Sequence, residues 1–445
     1  MNQFKENLST ITECIQRKFD IRTFSLIFFA IAYFFRRPAD ALYPAVWAED
    51  GLLNLPMVIS NPWEALFAPI NGYLQLPLRL ISIASMSISG LFYPEISYFL
   101  TFLTTISVLF LLTSQYFTFK GKYYLPIVIA LLPYNPEVFS TPLYIFWWTT
   151  LLLLIPLFLQ VSLVGKNWKT YLVTISCLSL GILSSPICIV LFPIMVFKLF
   201  INRERLDYIL LGIWALLSTY QLRLSLLSSA SKPGHSLQYA DLRLVIPKYF
   251  GNFFFHGSFL SEDTIWIYLV FLVFIAVGIL TTIKILMRRD INLLPISISF
   301  FMVFAAIATS TIRLGNFLPD PIFAGPRYFF FPYIFLSLFL ISIAVHTRNF
   351  LIKGSCILVL ISACTLTWEN DFSRFYRLHD PLSWRAELSA CLQSPDPYEL
   401  KIHSDGNLAN RWIREYTYEE CDKIANSGIL AQVFGLDRSI LEDLK

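Results

Sequence analysis

Two adjacent carboxylates, Glu49 and Asp50, follow the first apolar run of a 445-residue chain and are followed at once by Gly51. Acids beside a membrane are costly unless water or a partner satisfies them. Such a pair either anchors a span end at the headgroups or supplies a base that takes a proton from an attacking hydroxyl. Three other clusters carry complementary groups. Tyr134-Asn135-Pro136-Glu137 stands shortly before Trp147-Trp148. Glu137 alone reads as a turn-and-cap acid, and the two tryptophans read most simply as an interfacial aromatic belt. The segment 228–263 offers Lys232, His235, Lys248, His256, Glu262 and Asp263, with the histidines read as loop residues. Thr311 to Tyr328 offers Arg313, Asp320, Arg327 and Tyr328. Arginines at span ends lie among headgroups, yet arginine also binds phosphate bidentately. With Arg36, Arg37 and Asp40 just before the acid pair, acids and arginines on one membrane face suit an anionic lipid headgroup beside a base.

These residues need a frame to position them. The chain is 56% hydrophobic and 14% charged, where a soluble domain has roughly a quarter charged residues. The fold class is therefore an all-α polytopic membrane protein. The net charge is +4. The tail from Trp368 holds nine Lys/Arg against fourteen Asp/Glu, so the membrane part is strongly basic. Positive loops on the cytoplasmic side explain that excess, and nucleic acid need not be invoked. Of seven cysteines, Cys177, Cys188, Cys356 and Cys364 lie in apolar runs. Cys14 is alone, and Cys391 and Cys421 share the polar tail, as a disulfide if that tail is extracytoplasmic or otherwise as free thiols.

Apolar length and basic loops place eleven membrane-spanning cores. They fall at 23–35, 96–117, 124–132, 146–163, 171–183, 187–200, 208–224, 266–286, 293–308, 328–344 and 355–366. The first is read as an uncleaved span rather than a signal peptide. Basic segments at Lys120/Lys122, Lys166/Lys169, Arg203/Arg205, Lys284/Arg288/Arg289 and Arg348/Lys353 alternate with segments rich in Pro, Asn, Ser and aromatics. The stretch 73–91 is read as lying in or dipping into the membrane, with a twelfth crossing as the alternative. The organisation is then a cytoplasmic segment 1–22 and a transmembrane domain 23–367 with external loops 36–95, 133–145, 225–265 and 309–327. An extracytoplasmic region, 368–445, completes it.

Several short motifs, in order, resemble the GT-C superfamily of membrane glycosyltransferases. They are Trp47-Ala48-Glu49-Asp50-Gly51, Asn71-Gly72-Tyr73-Leu74 with Arg79, Asn135-Pro136-Glu137 with Trp147, Ser185-Pro186 with Pro193, and Gly325-Pro326-Arg327-Tyr328. Asp380-Pro-Leu-Ser-Trp384 and Cys391 in the tail extend the similarity. The chain resembles bacterial members with Trp-x-Glu-Asp-Gly after the first span, themselves similar to enzymes that decorate O-antigen or other cell-surface glycans, which implies the bacterial inner membrane, with the N-terminus inside and the C-terminus outside. The resemblance implies an inverting enzyme that moves a sugar from a polyprenyl-phosphate carrier to a glycan or lipid acceptor on the external face. It carries the base onto Asp50 or Glu49, with Asp50 preferred, and the assisting acid onto Glu137. Members of the superfamily often show Asp-Glu or a lone Asp, whereas here the order is Glu-Asp. Arg327, Tyr328, Arg313, Arg79, Tyr73, Asn135 and Trp147 become candidate substrate-binding residues.

The chemistry is coherent with those residue types. A phosphate leaving group needs no general acid, and direct attack by the acceptor hydroxyl inverts the sugar C1. Charge on the leaving group calls for a cation, for which Arg327 and then Arg313 or Arg79 are candidates. No cofactor is assigned. A divalent cation, Mg or Mn, could use Glu49 and Asp50, but two acids alone make a poor site. The expected partners are the lipid-linked donor, the acceptor and membrane lipid. An O-antigen polymerase or ligase is the alternative enzyme, and a lipid-linked saccharide flippase the alternative transporter. The charge-poor span cores count against the latter.

Overall fold

The computed structural model describes residues 21–133, 136–139, 141–229, 245–255, 265–314, 326–370, 383–394, 397–402 and 412–434. In lipid every peptide group must find its partner within its own segment, so long apolar runs become helices. Helix occupies part of every expected core. Among the described residues five helices are long and apolar enough to cross a membrane: Tyr93–Leu112, Arg205–Leu227, Ile265–Arg288, Ile291–Thr311 and Arg327–His346. The protein is thus an all-α membrane protein at the level of these helices. The expected core at 124–132 forms only the seven-residue helix Leu125–Leu131. At 1.5 Å per residue that is about 10 Å, too short to cross about 30 Å of hydrocarbon alone. The Leu76–Ile88 helix, 13 residues, reaches about 20 Å.

The helix Phe330–His346 is buried on almost every face. A helix apolar all round belongs inside a bundle. Leu294–Leu314 and Phe350–Asn370 pack along it, and Ile187–Asn202 packs against Leu294–Leu314 and Arg205–Ser229. The run Pro142–Phe158 is helical with a 3₁₀ break at Leu151–Leu153, and its side chains are buried too. Trp148 donates its indole N–H to the Val138 carbonyl at 2.7 Å and meets Phe330 edge-on. The interfacial belt expected for Trp147-Trp148 is therefore replaced by an interior wall, because the rings find aromatic partners on the central helix. At another corner of the bundle Lys198 and Asp207 form a buried ion pair at 2.7 Å, and Lys198 also donates to the Pro156 carbonyl.

Asn71 and Gly72 both have positive φ, 51° and 89°, and close a two-residue reverse turn in which Ile70 and Tyr73 exchange backbone hydrogen bonds. Asn-Gly is the residue pair such a turn demands. Gln221 then grips the Leu74 backbone from both sides and donates to the Ile182 carbonyl. Gly72→Ala is expected to lower stability by about 1–2 kcal/mol through the left-handed penalty. Thermal unfolding in detergent should show it, with Asn71→Gly close to wild type.

The tail folds into a small cap. It contains the helix Trp384–Gln393, an antiparallel pair β1 (Tyr398–Ile402) and β2 (Trp412–Tyr416), and the helices Tyr418–Ala425 and Ile429–Phe434. A disulfide joins Cys391 to Cys421. Cap residues Trp384, Leu388, Leu400, Ile402, Tyr416 and Ile424 share one apolar cluster with Val46, Leu55, Val58, Met86, Leu91 and Tyr93.

Candidate functional site

The acid pair begins from a constrained backbone. Ala48 has φ 35°, a left-handed value that costs a non-glycine residue about 1–2 kcal/mol. Asp50–Asn54 then forms a π-helical turn. The segment before it is clamped by Arg37, whose Nε lies 2.5 Å from Asp40 and whose guanidinium sits 5.0 Å over the Trp47 ring. Arg36 reaches the Leu132 carbonyl at 3.4 Å and lies over Phe139. Arg36, Arg37 and Asp40 are all buried and brace the loops on either side.

Neighbours in sequence, Glu49 and Asp50 engage different partners. Asp50 is buried. It accepts from Asn54 Nδ2 at 2.6 Å and from the Tyr93 hydroxyl at 3.1 Å. Arg79 donates to Asn54 Oδ1 at 2.5 Å and to the Asn54 carbonyl at 3.1 Å, and Ser82 joins Asn54 to Tyr93. Asp50 and Arg79 are thus parts of one buried polar network whose other members, Asn54, Ser82 and Tyr93, were not singled out from sequence. Asn54 had a signal: it stands four residues after Asp50, on the same face of a helical turn.

Glu49 is partly exposed and within electrostatic reach of Tyr144 and Arg327. Arg327 donates to Glu137 Oε1 at 3.0 Å and to the Tyr144 hydroxyl at 2.9 Å, while Tyr144 hydrogen-bonds the same Glu137 oxygen. The Glu137 side chain is 5% exposed and that of Arg327 30%, so the acid is sealed and the cation reaches outward. Arg327 and Tyr328 occupy the 3₁₀ turn Pro326–Phe329 that leads into the central helix. Tyr144 was missed in sequence; its phenol follows Pro142 at the start of an otherwise apolar run.

Rings connect the remaining candidates. Tyr73 meets Phe146 at 5.9 Å, Phe146 meets Trp147 at 5.0 Å, and Trp147 meets Tyr328 at 5.9 Å. The buried Trp147 indole N–H makes no hydrogen bond to a described residue. Asn135, Lys232, His235, His256, Glu262, Asp263 and Asp320 lie outside the described residues, as does the side chain of Arg313. Lys248 lies in the turn Pro247–Gly251, next to Tyr249, which packs on Phe329 at 4.5 Å. Among the described residues no three His, Cys, Asp or Glu side chains group to hold a metal ion.

Burial pushes the Asp50 carboxyl up to about 6, against the opposing pull of Asn54, Tyr93 and Arg79. Its unfolded value is about 3.9, so the folded state binds the extra proton between these pH values. Stability therefore falls as pH rises from about 4 to about 6, by about 3 kcal/mol, at 1.36 kcal/mol per unit. Asp50→Asn is expected to flatten that slope. Unfolding temperatures at pH 4.5 and 7.5 in detergent check it; an unaltered slope would contradict the assignment to Asp50.

Comparison with known families, characterised proteins and solved structures finds no match to the chain.

Proposed function

We propose that this protein is an inverting glycosyltransferase of the GT-C kind, moving a sugar from a polyprenyl-phosphate carrier to a cell-surface glycan or lipid acceptor. What carries this reading is the meeting of Arg327, Glu137 and Tyr144 within reach of Glu49. A partly exposed arginine, held by a buried acid and a phenol, is pre-organised for a phosphate. A partly exposed carboxylate nearby can accept the proton of an attacking hydroxyl.

In this scheme Glu49 is the base. Asp50, preferred from sequence, is already bonded to Asn54 and Tyr93 and buried, which suits a structural pin. Glu137 assists by orienting Arg327, which stabilises the departing phosphate. The C1–O bond to the phosphate breaks as the acceptor oxygen bonds to C1, and the hydroxyl proton passes to Glu49. Trp147, Tyr328 and Tyr73 supply an aromatic wall. The site and the cap then face the extracytoplasmic side of a bacterial inner membrane, where surface glycans such as O-antigen are built.

The test uses purified protein in nanodiscs with radiolabelled sugar on a polyprenyl phosphate and, in parallel, the same sugar on a nucleotide. Transfer from the lipid carrier alone is expected. No transfer from any polyprenyl-phosphate sugar, across a panel of hexose donors and membrane acceptors, removes the proposal.

A further inference from the structure

The cap grips the turn that begins at Asp50 and has Glu49 at its N-terminal edge. The Tyr416 hydroxyl donates to the Gly51 carbonyl at 3.1 Å, and Arg414 Nη1 donates to the Leu52 carbonyl at 2.6 Å. Both bonds end on the two residues that follow Glu49 and Asp50. Ile402 of β1 lies directly on Gly51: a Cβ there would stand 2.8 Å from both Ile402 Cδ1 and Val46 Cγ1, so a side chain at 51 would have to push these two aside. On its inner side the turn is tied through Asp50 to Asn54 and Tyr93. The cap has a second anchor where Tyr93 begins its helix. There Trp384 donates to the Gly90 carbonyl at 2.9 Å, and the Gly90 N–H donates to the Ser427 carbonyl at 3.3 Å. Within the cap, the Cys391–Cys421 bridge ties the helix bearing Trp384 to the helix that follows Tyr416.

We propose that Tyr416 and Arg414 are positioning residues for Glu49, and that the disulfide-braced cap sets the direction in which the Glu49 carboxylate leaves its turn. This rests on the reading of Glu49 as the base. The π-helical turn runs straight into the helix Leu55–Ser60, whose first N–H donates to the Asp50 carbonyl, and its other partners lie above in the cap and below in the Asp50 network. Removing the upper partner frees the turn without touching Arg327, Glu137 or Tyr144. A small displacement of a base is enough to slow a reaction strongly, since about 1 Å can cost about 10²-fold.

The experiment compares wild type, Tyr416→Phe, Arg414→Lys, Arg414→Ala and the Cys391→Ser/Cys421→Ser pair, each full length in nanodiscs. Hydrogen exchange is followed at residues 47–56 and at the central helix 330–346, alongside kcat and KM for sugar transfer from polyprenyl phosphate. Tyr416→Phe is expected to speed exchange at 47–56 about fivefold, the loss of one hydrogen bond, and leave 330–346 unchanged. It should lower kcat about tenfold with donor KM within about twofold. Arg414→Lys, which keeps a cationic donor, should retain most of kcat where Arg414→Ala does not. The cysteine pair should resemble Tyr416→Phe, which keeps both cysteines and so guards against a cap that merely misfolds. Unchanged exchange at 47–56 in all variants overturns the proposal. So does faster exchange with kcat unaltered, which leaves the cap a stabilising element only. If wild type itself transfers no sugar from the lipid carrier, the reading of Glu49 fails separately, and exchange at 47–56 alone then decides whether the cap holds the turn.

Discussion

Glu49→Gln should lower sugar transfer by about 10²- to 10⁴-fold, the range for loss of a general base, with donor binding retained. The amide keeps the size of the side chain and removes the proton acceptor. Because Glu49 is partly exposed, the change should leave the unfolding temperature near wild type. Asp50→Asn makes the contrast. Asn can still accept from Asn54 and Tyr93, so transfer is expected to stay within about tenfold of wild type, the scale of one perturbed hydrogen bond. Transfer rates at matched protein amount in nanodiscs separate the two. Inactive Asp50→Asn beside active Glu49→Gln returns the base to Asp50 and assigns Glu49 to the electrostatic setting of Arg327.

The divergence of these two carboxylates is the part of the site that residue order does not contain. A run of apolar residues announces a helix, because lipid leaves the backbone no other partner. For that reason Tyr93–Leu112, Ile265–Arg288 and Phe330–His346 were legible from composition. The chemical difference between residues 49 and 50 depends on the φ of Ala48 and on a π-helical turn, and neither has a local signature. Arg327 and Glu137 were each legible as candidates from residue type and motif. Their pairing spans 190 positions and arises only when the central helix seats against the Pro142–Phe158 run. Tyr144 and Tyr93 were not legible, since a tyrosine near a span end is usual in any membrane protein. The seven-residue helix at Leu125–Leu131 fell short of the expected span because Lys122 and Pro133 bound an apolar stretch too brief to cross.

Arg327→Ala should abolish most transfer, about 10²- to 10³-fold, the usual loss for one group that stabilises developing negative charge. It should also destabilise the fold by about 1–3 kcal/mol, because the sealed Glu137 carboxylate loses a charged partner. The two effects can be pulled apart. Arg327→Ala combined with Glu137→Gln removes the stranded charge and should regain much of the lost unfolding temperature while transfer stays low. Arg327→Lys keeps a charge but cannot hold Glu137 and Tyr144 with a planar fork, so intermediate activity is expected. Recovery of transfer in the double variant would show that Arg327 serves folding alone.

The bond between Tyr416 and the Gly51 carbonyl joins residues 365 positions apart. In synthesis Gly51 precedes Tyr416 by those 365 residues. Until β2 emerges, the acid-bearing turn exists without its upper partner. Its completion waits for that strand and, with the Cys391–Cys421 bond, for an oxidant. Maturation is thus a closing step that follows insertion, and a chain halted before β2 would sit in the membrane with its helices in place and its first loop unfinished.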